Sequence, residues 1–230
     1  MSPRPVSIPS TNVFMAKETQ GSQLTIAAAL KSNVKHIFIA GYNLHTLVTD
    51  RLDDMKLFLN QDSERTLSVM IGHPASVIGT IAFKQLFLRA PQFDAKTHLD
   101  KSVRAFRQLR KTYGTTRVTI RVAVMIPCGV WFAYNSLLDG QPDKDAIVVV
   151  TPLVNNAWES GKRPLFAFSK DQHREAFKYY WDKLVVEVFS QDGLSWAIDE
   201  SLRFSRKLRR RASETSQVIW KVIKMLLRLG

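Results

Sequence analysis

The chain has 230 residues, 45% of them hydrophobic, and carries 33 Lys and Arg against 20 Asp and Glu, a net charge of +13. That length and apolar content suit one domain with an appendage and exclude wholesale disorder. A single cysteine, Cys128, excludes an internal disulfide and a thiolate metal cluster within one chain, and no stretch approaches the roughly 18 apolar residues of a spanning helix.

Residues 1–30 read as a mobile leader with a short helix over 23–32. Its start, MSPRPVSIPSTNVF, holds three prolines and no apolar run, so it is not a signal peptide, which places the chain in the cytoplasm. Residues 31–192 read as an α/β domain. Val34–Ala40 has the β-branched and aromatic content of a buried strand, and Gly41 ends it. Asn43 suits the cap of a helix in which Leu44, Leu47, Val48, Leu52, Met55 and Leu59 keep helical spacing. Thr66–Ile71 is a second strand, closed by Gly72-His73-Pro74, and residues 76–90 follow as a helix that Gly79 weakens.

Asp94–Tyr113 is amphipathic, with Leu99, Val103, Phe106, Leu109 and Tyr113 on one stripe and Gly114 as its stop. Strands are predicted over Arg117–Ile126, Val130–Leu138, Ala146–Val150 and Pro164–Phe168, with Asp139-Gly140 turning the chain between the second and third. Asp171–Phe189 is the strongest helix, its apolar stripe running from Phe177 through Trp181 and Leu184 to Phe189. This order favours a mixed β-sheet flanked by helices, followed over 193–230 by a basic amphipathic helical extension.

Most standard catalytic and nucleotide-binding motifs are missing. There is no G-x-x-x-x-G-K-[ST] cradle, no G-x-G-x-x-G after a strand and no G-x-S-x-G elbow. The order of elements, together with VKHIFIAGYNLHTLV, TLSVMIGHP, GVWFAYNSLLDG, DAIVVVTP, RPLFAFSK and AFKYYWDKL, resembles the phospholipase D-like superfamily, in particular its small bacterial members with a single half-domain. The resemblance covers residues 30 to 190. It implies a phospholipase D-like half-domain and pairing of two copies around one site, hence a homodimer.

The family's hallmark is H-x-K-x-x-x-x-D, whose histidine attacks phosphorus while the lysine stabilises the phosphoryl oxygens. With Asp139 in the aspartate position, the histidine position falls on Phe132 and the lysine position on Tyr134. Neither side chain can do that work, so the resemblance implies a scaffold whose standard chemistry is lost. Relocated catalytic groups would have to come from His73, His45 and Asp139. His73 follows a strand and opens a helix, a favourable place for phosphate, and His45 could approach it across the top of the sheet. No cofactor and no metal site are expected. The basic stripe of Lys101, Arg104, Gln108 and Lys111 reads as a solvated helix face, with a nucleic-acid groove as its alternative.

The C-terminus concentrates charge. Residues 201–230 hold nine basic residues against one acid, Glu214. Arg203, Arg206, Lys207, Arg209, Arg210 and Arg211 form an expected anion-binding cluster. Val218, Ile219, Val222, Ile223 and Leu226, with Trp220 beside them, form an apolar helix face suited to the domain, a partner or a membrane surface.

The leading expectation is a non-catalytic binding or regulatory protein on a degenerate phospholipase D-like scaffold. Its partner would be an anionic ligand: nucleic acid, a nucleotide or acidic lipid. Two alternatives remain open. One is a phosphodiester hydrolase, either nuclease or phospholipase, with relocated residues. The other is a membrane-acting effector of bacterial defence or toxicity whose C-terminal helix engages the bilayer, which would add a peripheral position at the inner face of the membrane to the cytoplasmic one.

Overall fold

The computed structural model describes residues 13–15, 24–72, 95–123, 128–152, 164–189 and 195–197. Near-continuous apolar runs build three central strands. His36–Gly41 (β2), Thr66–Gly72 (β3) and Val118–Ala123 (β4) lie side by side and parallel, with Ile37 opposite Leu67 and Val69 opposite Ile120. Strands buried on both faces need apolar residues at nearly every position, which is how VMIG and HIFIAG read.

On the other side of β2 the chain returns antiparallel. Cys128–Tyr134 (β5) pairs with β2, then Ile147–Pro152 (β8) and Pro164–Ser169 (β9) follow, and Val13–Met15 (β1) closes that edge. Ser195–Ala197 (β10) pairs antiparallel with β4 at the opposite edge. The described residues thus form an eight-stranded sheet in the order β1-β9-β8-β5-β2-β3-β4-β10. The architecture is the expected mixed sheet with helices on its faces. Residues from the expected leader and from the C-terminal extension supply its two edge strands.

Ile26–Lys31 (α1), His45–Gln61 (α2) and Ala95–Tyr113 (α3) belong to one face. Met55, Phe58 and Leu59 from α2 meet Leu99, Phe106 and Leu109 from α3 over Ile37, Val69, Ile120 and Val149 of the sheet. Each such side chain contributes about 1.5–3 kcal/mol by leaving water. The end of α2 is fastened by Arg117, whose guanidinium donates to the carbonyls of Leu59, Asp62 and Arg65. It thereby satisfies acceptors that a helix C-terminus leaves without intrahelical donors.

Arg174–Tyr180 (α4) covers the opposite face and continues into a nine-residue π-helical stretch, Trp181–Phe189. Phe177, Trp181 and Leu184 are buried there against Phe38, Phe132 and Val148.

Local structure departs from the sequence reading in three places. Asn43 does not cap α2 as a helix N-cap: the cap position is Leu44, in a left-handed conformation, while the Asn43 carboxamide accepts from the His45 backbone N–H at 3.2 Å. The strand expected over Val130–Leu138 stops at Tyr134. The Asp143 carboxylate draws the Asn135 and Ser136 N–H groups out of the sheet. The chain then makes a separate two-stranded arm, Leu137–Leu138 (β6) with Gln141–Pro142 (β7), around Asp139 and Gly140. The helix expected to run uniformly to Phe189 widens from Trp181 onward. The helix read over residues 76–90 lies outside the described residues.

Candidate functional site

Side chains alternate along β5, so Val130, Phe132 and Tyr134 point to the face under α4 while Trp131 and Ala133 point to the other. Phe132 is fully buried. Its ring makes edge-on contacts with Phe38 at 5.6 Å, Trp181 at 5.5 Å and Phe177 at 5.8 Å. Aromatic pairs prefer this edge-to-face arrangement, so the position is packed as core. A ligand could reach it only by displacing those rings.

Tyr134 stands edge-on to Trp181 at 5.4 Å and lies 5.0 Å from the His36 ring. Burial pushes its phenol up to about 12, so it stays neutral at ordinary pH. A phenol carries no positive charge in either protonation state, so it cannot serve as the cation of a phosphoryl site. His36 reaches Thr66 through Nδ1 and Oγ1 at 2.8 Å. Burial, and secondarily the neighbouring Lys35 charge, lowers its pKa below the usual histidine value. Asp139 is exposed at the tip of the arm, where it and Gly140 have φ of 52° and 74°. Both central residues of the two-residue turn thus take the positive φ that a tight hairpin requires. The positions aligned with the family motif are therefore split between an aromatic core and a solvent-facing turn.

Among the described residues, an exposed basic surface lies on the other side of the sheet. The apolar stripe of α3 is spent on the core, which leaves Lys101, Arg104, Arg107, Gln108 and Lys111 exposed within an arc of about 120° on the helix. Arg104, Arg107, Gln108, Arg110, Lys111 and Thr115 line an open groove of about 460 Å³, and no acidic residue is among the described residues that line it. Lys101, Arg104 and Lys111 make no ion pair among the described residues.

A second groove of about 440 Å³ shares Arg104 and Gln108 and has Leu52, Ala105, Leu109 and Tyr113 along it, with Lys56 of α2 at its edge. Tyr113 is engaged on both counts: its hydroxyl donates to the Lys56 carbonyl at 3.3 Å, and the Arg117 guanidinium lies 5.6 Å from its ring centre. Lys56 itself is held by Asp53 at 2.7 Å.

Of the other expected site residues, only some fall among the described residues. His45 opens α2 and stacks on His98 of α3, with ring centres 3.9 Å apart and planes 9° from parallel. No periodicity in the sequence signals that pairing, because the two rings come from separate helices 53 positions apart. His73 lies outside the described residues. So do the cluster Arg203, Arg206, Lys207, Arg209, Arg210 and Arg211 and the helix face from Val218 to Leu226. Among the described residues no three His, Cys, Asp or Glu side chains are grouped to hold a metal ion. Arg107 and Arg110, which the sequence reading left out of the basic stripe, belong to the groove. For Arg107 the signal was available: at 100° per residue it falls beside Lys111.

No family model matches the chain, and no curated protein matches it. Among solved structures it is similar to TrmBL2, an archaeal chromatin protein whose structure shows a novel mode of DNA binding. The TM-score is 0.38 and the identity 11%, over 77% of this chain and 54% of that one. The chain spans about half the length of that protein. A likeness this weak establishes neither a shared fold nor a shared ligand.

Proposed function

We propose that the chain is a non-catalytic protein that binds a polyanion through the outward face of α3, on a scaffold resembling a degenerate phospholipase D-like half-domain. The observation that carries this reading is the groove lined by Arg104, Arg107, Arg110 and Lys111, with Lys101 on the same exposed arc. Guanidinium groups offer paired donors that match phosphate oxygens, and clustered like charges raise the local concentration of an anionic partner. The buried aromatic setting of Phe132 and the neutral phenol of Tyr134 support the non-catalytic half of the proposal.

The test pairs two readouts on the full 230-residue chain and on a variant carrying K101Q, R104Q and K111Q. All three side chains are exposed, so the variant should keep the parent's thermal midpoint. Expected is salt-sensitive binding of labelled polyanions that drops in the variant, with no turnover of a chromogenic phosphodiester by either protein. Equal binding by both would remove α3 from the function. Turnover abolished by His73→Ala would replace the proposal with a relocated-site hydrolase.

A further inference from the structure

We infer, on the polyanion reading just given, that the partner of α3 is the sugar-phosphate backbone of a nucleic-acid duplex, bound without reading its sequence. Three features of the face point there.

The first is spacing. From Lys101 to Lys111 the helix rises about 15 Å. A duplex presents one phosphate per strand about every 3.4 Å of its axis, so this length faces several phosphates of one strand at once. Lys101, Arg104 and Lys111 lie one after another along it, with Arg107 on the same arc. A free nucleotide or a single phosphate would engage only part of such a row.

The second is the state of Tyr113, the aromatic ring among the described residues beside the site. Single-stranded binders stack bases on free aromatic faces. Tyr113 offers no such platform, since Arg117 covers its ring and its hydroxyl is bound to the backbone of α2. The exposed arc itself carries no aromatic residue. A duplex keeps its bases stacked and asks only for phosphate contacts.

The third is how deeply α3 is embedded. Its buried side packs on the sheet through Leu99, Phe106 and Leu109, and α2 lies alongside it through Lys56 and Tyr113. A major groove about 8.5 Å deep admits a helix, whereas α3 is held along one side by the core and beside α2. Its basic residues can rest on the phosphate ridges, contacts that set position and carry no base information.

The experiment compares the parent chain with the K101Q/R104Q/K111Q variant on four probes. These are two 20-base-pair DNA duplexes of unrelated sequence, one of the constituent single strands, and vesicles of phosphatidylserine in phosphatidylcholine. Each is measured across a salt series. Both proteins keep the C-terminal basic cluster, so the difference between them reads α3 alone. Expected are equal affinities for the two duplexes, weaker binding of the single strand, and a log K against log salt slope less steep by about 2.7 in the variant, the loss of three phosphate contacts. Between 50 and 200 mM salt that difference amounts to about 40-fold.

Tighter binding of the single strand than of either duplex would overturn the duplex assignment while leaving the polyanion reading intact. The same holds if one duplex is strongly preferred over the other, or if only vesicle binding responds to the substitutions. An unchanged slope on every probe would overturn both.

Discussion

At the scale of single residues, His36 is held by opposing influences. Burial and Lys35 disfavour its charged form, while Asp143 and Glu64 favour it more weakly, and its ring lies between Thr66 and Tyr134. Its folded-state pKa is lowered, so just below the ordinary value of 6.5 the folded chain binds fewer protons than the unfolded one. The stability this histidine supplies is complete above that value and is lost as pH falls through the folded pKa. Urea midpoints should therefore drop on acidification from pH 7 toward 5.5, and His36→Gln, which keeps a partner for Thr66, should flatten part of that decline. An identical pH slope in parent and variant would show that another group governs it.

Trp181 is the second telling residue, 2% exposed, with an indole N–H that has no hydrogen-bond partner among the described residues. It stands against Phe132 and Tyr134, and truncation would open a large hole at the centre of that aromatic cluster. Trp181→Ala should cost about 3–5 kcal/mol, measured by chemical denaturation. A loss below about 1 kcal/mol would mean the cluster collapses around the gap, or that α4 is not a principal support of this face.

At the scale of elements, what could be read in advance was what depends on neighbours close in sequence. The stripe Leu99, Val103, Phe106, Leu109 marks α3 because helical side chains three and four apart share a face. Gly114 ends it with φ of 89°, its N–H bonded to the Arg110 carbonyl at 2.9 Å. The Asp139-Gly140 turn was legible for the same reason.

What escaped depends on distant partners. β5 stops at Tyr134 because Asp143, nine positions on, takes the next two N–H groups, and no local propensity of Asn135 or Ser136 announces that. The widening at Trp181 likewise has no local marker. It sits where Trp181 meets Phe132 and Phe189 meets Phe38 at 4.9 Å, so the accommodation of large rings across the sheet accompanies it. The candidate site divides in the same way. The basic stripe on α3 was visible, but its groove was not, because a groove exists only once α3 has been laid against its neighbours.

At the scale of the whole molecule the open question is how charge is shared between α3 and the C-terminus. Residues 201–230 carry nine basic side chains against one acid, so the net charge is weighted toward that end. Arg209, Arg210 and Arg211 stand consecutively there, a density that attracts any polyanion regardless of what surrounds it. Replacing the three with glutamine removes three positive charges. The thermal midpoint should stay within about 2–4 °C of the parent.

Duplex binding should weaken, and its salt slope should lose roughly 0.9 for each phosphate those arginines neutralise. Vesicle binding discriminates further. A surface that also uses the apolar face of Val218, Ile219, Val222, Ile223 and Leu226 would keep part of its attachment to acidic lipid at high salt, because apolar burial is not screened. A purely electrostatic tail would lose vesicles and duplex together. If combining R209Q, R210Q and R211Q with the α3 substitutions loses no more duplex affinity than the α3 variant alone, the C-terminal charge is a solvated tail and α3 is the binding surface. If the two sets of losses add in log K, the segments act as independent contacts on one extended polyanion.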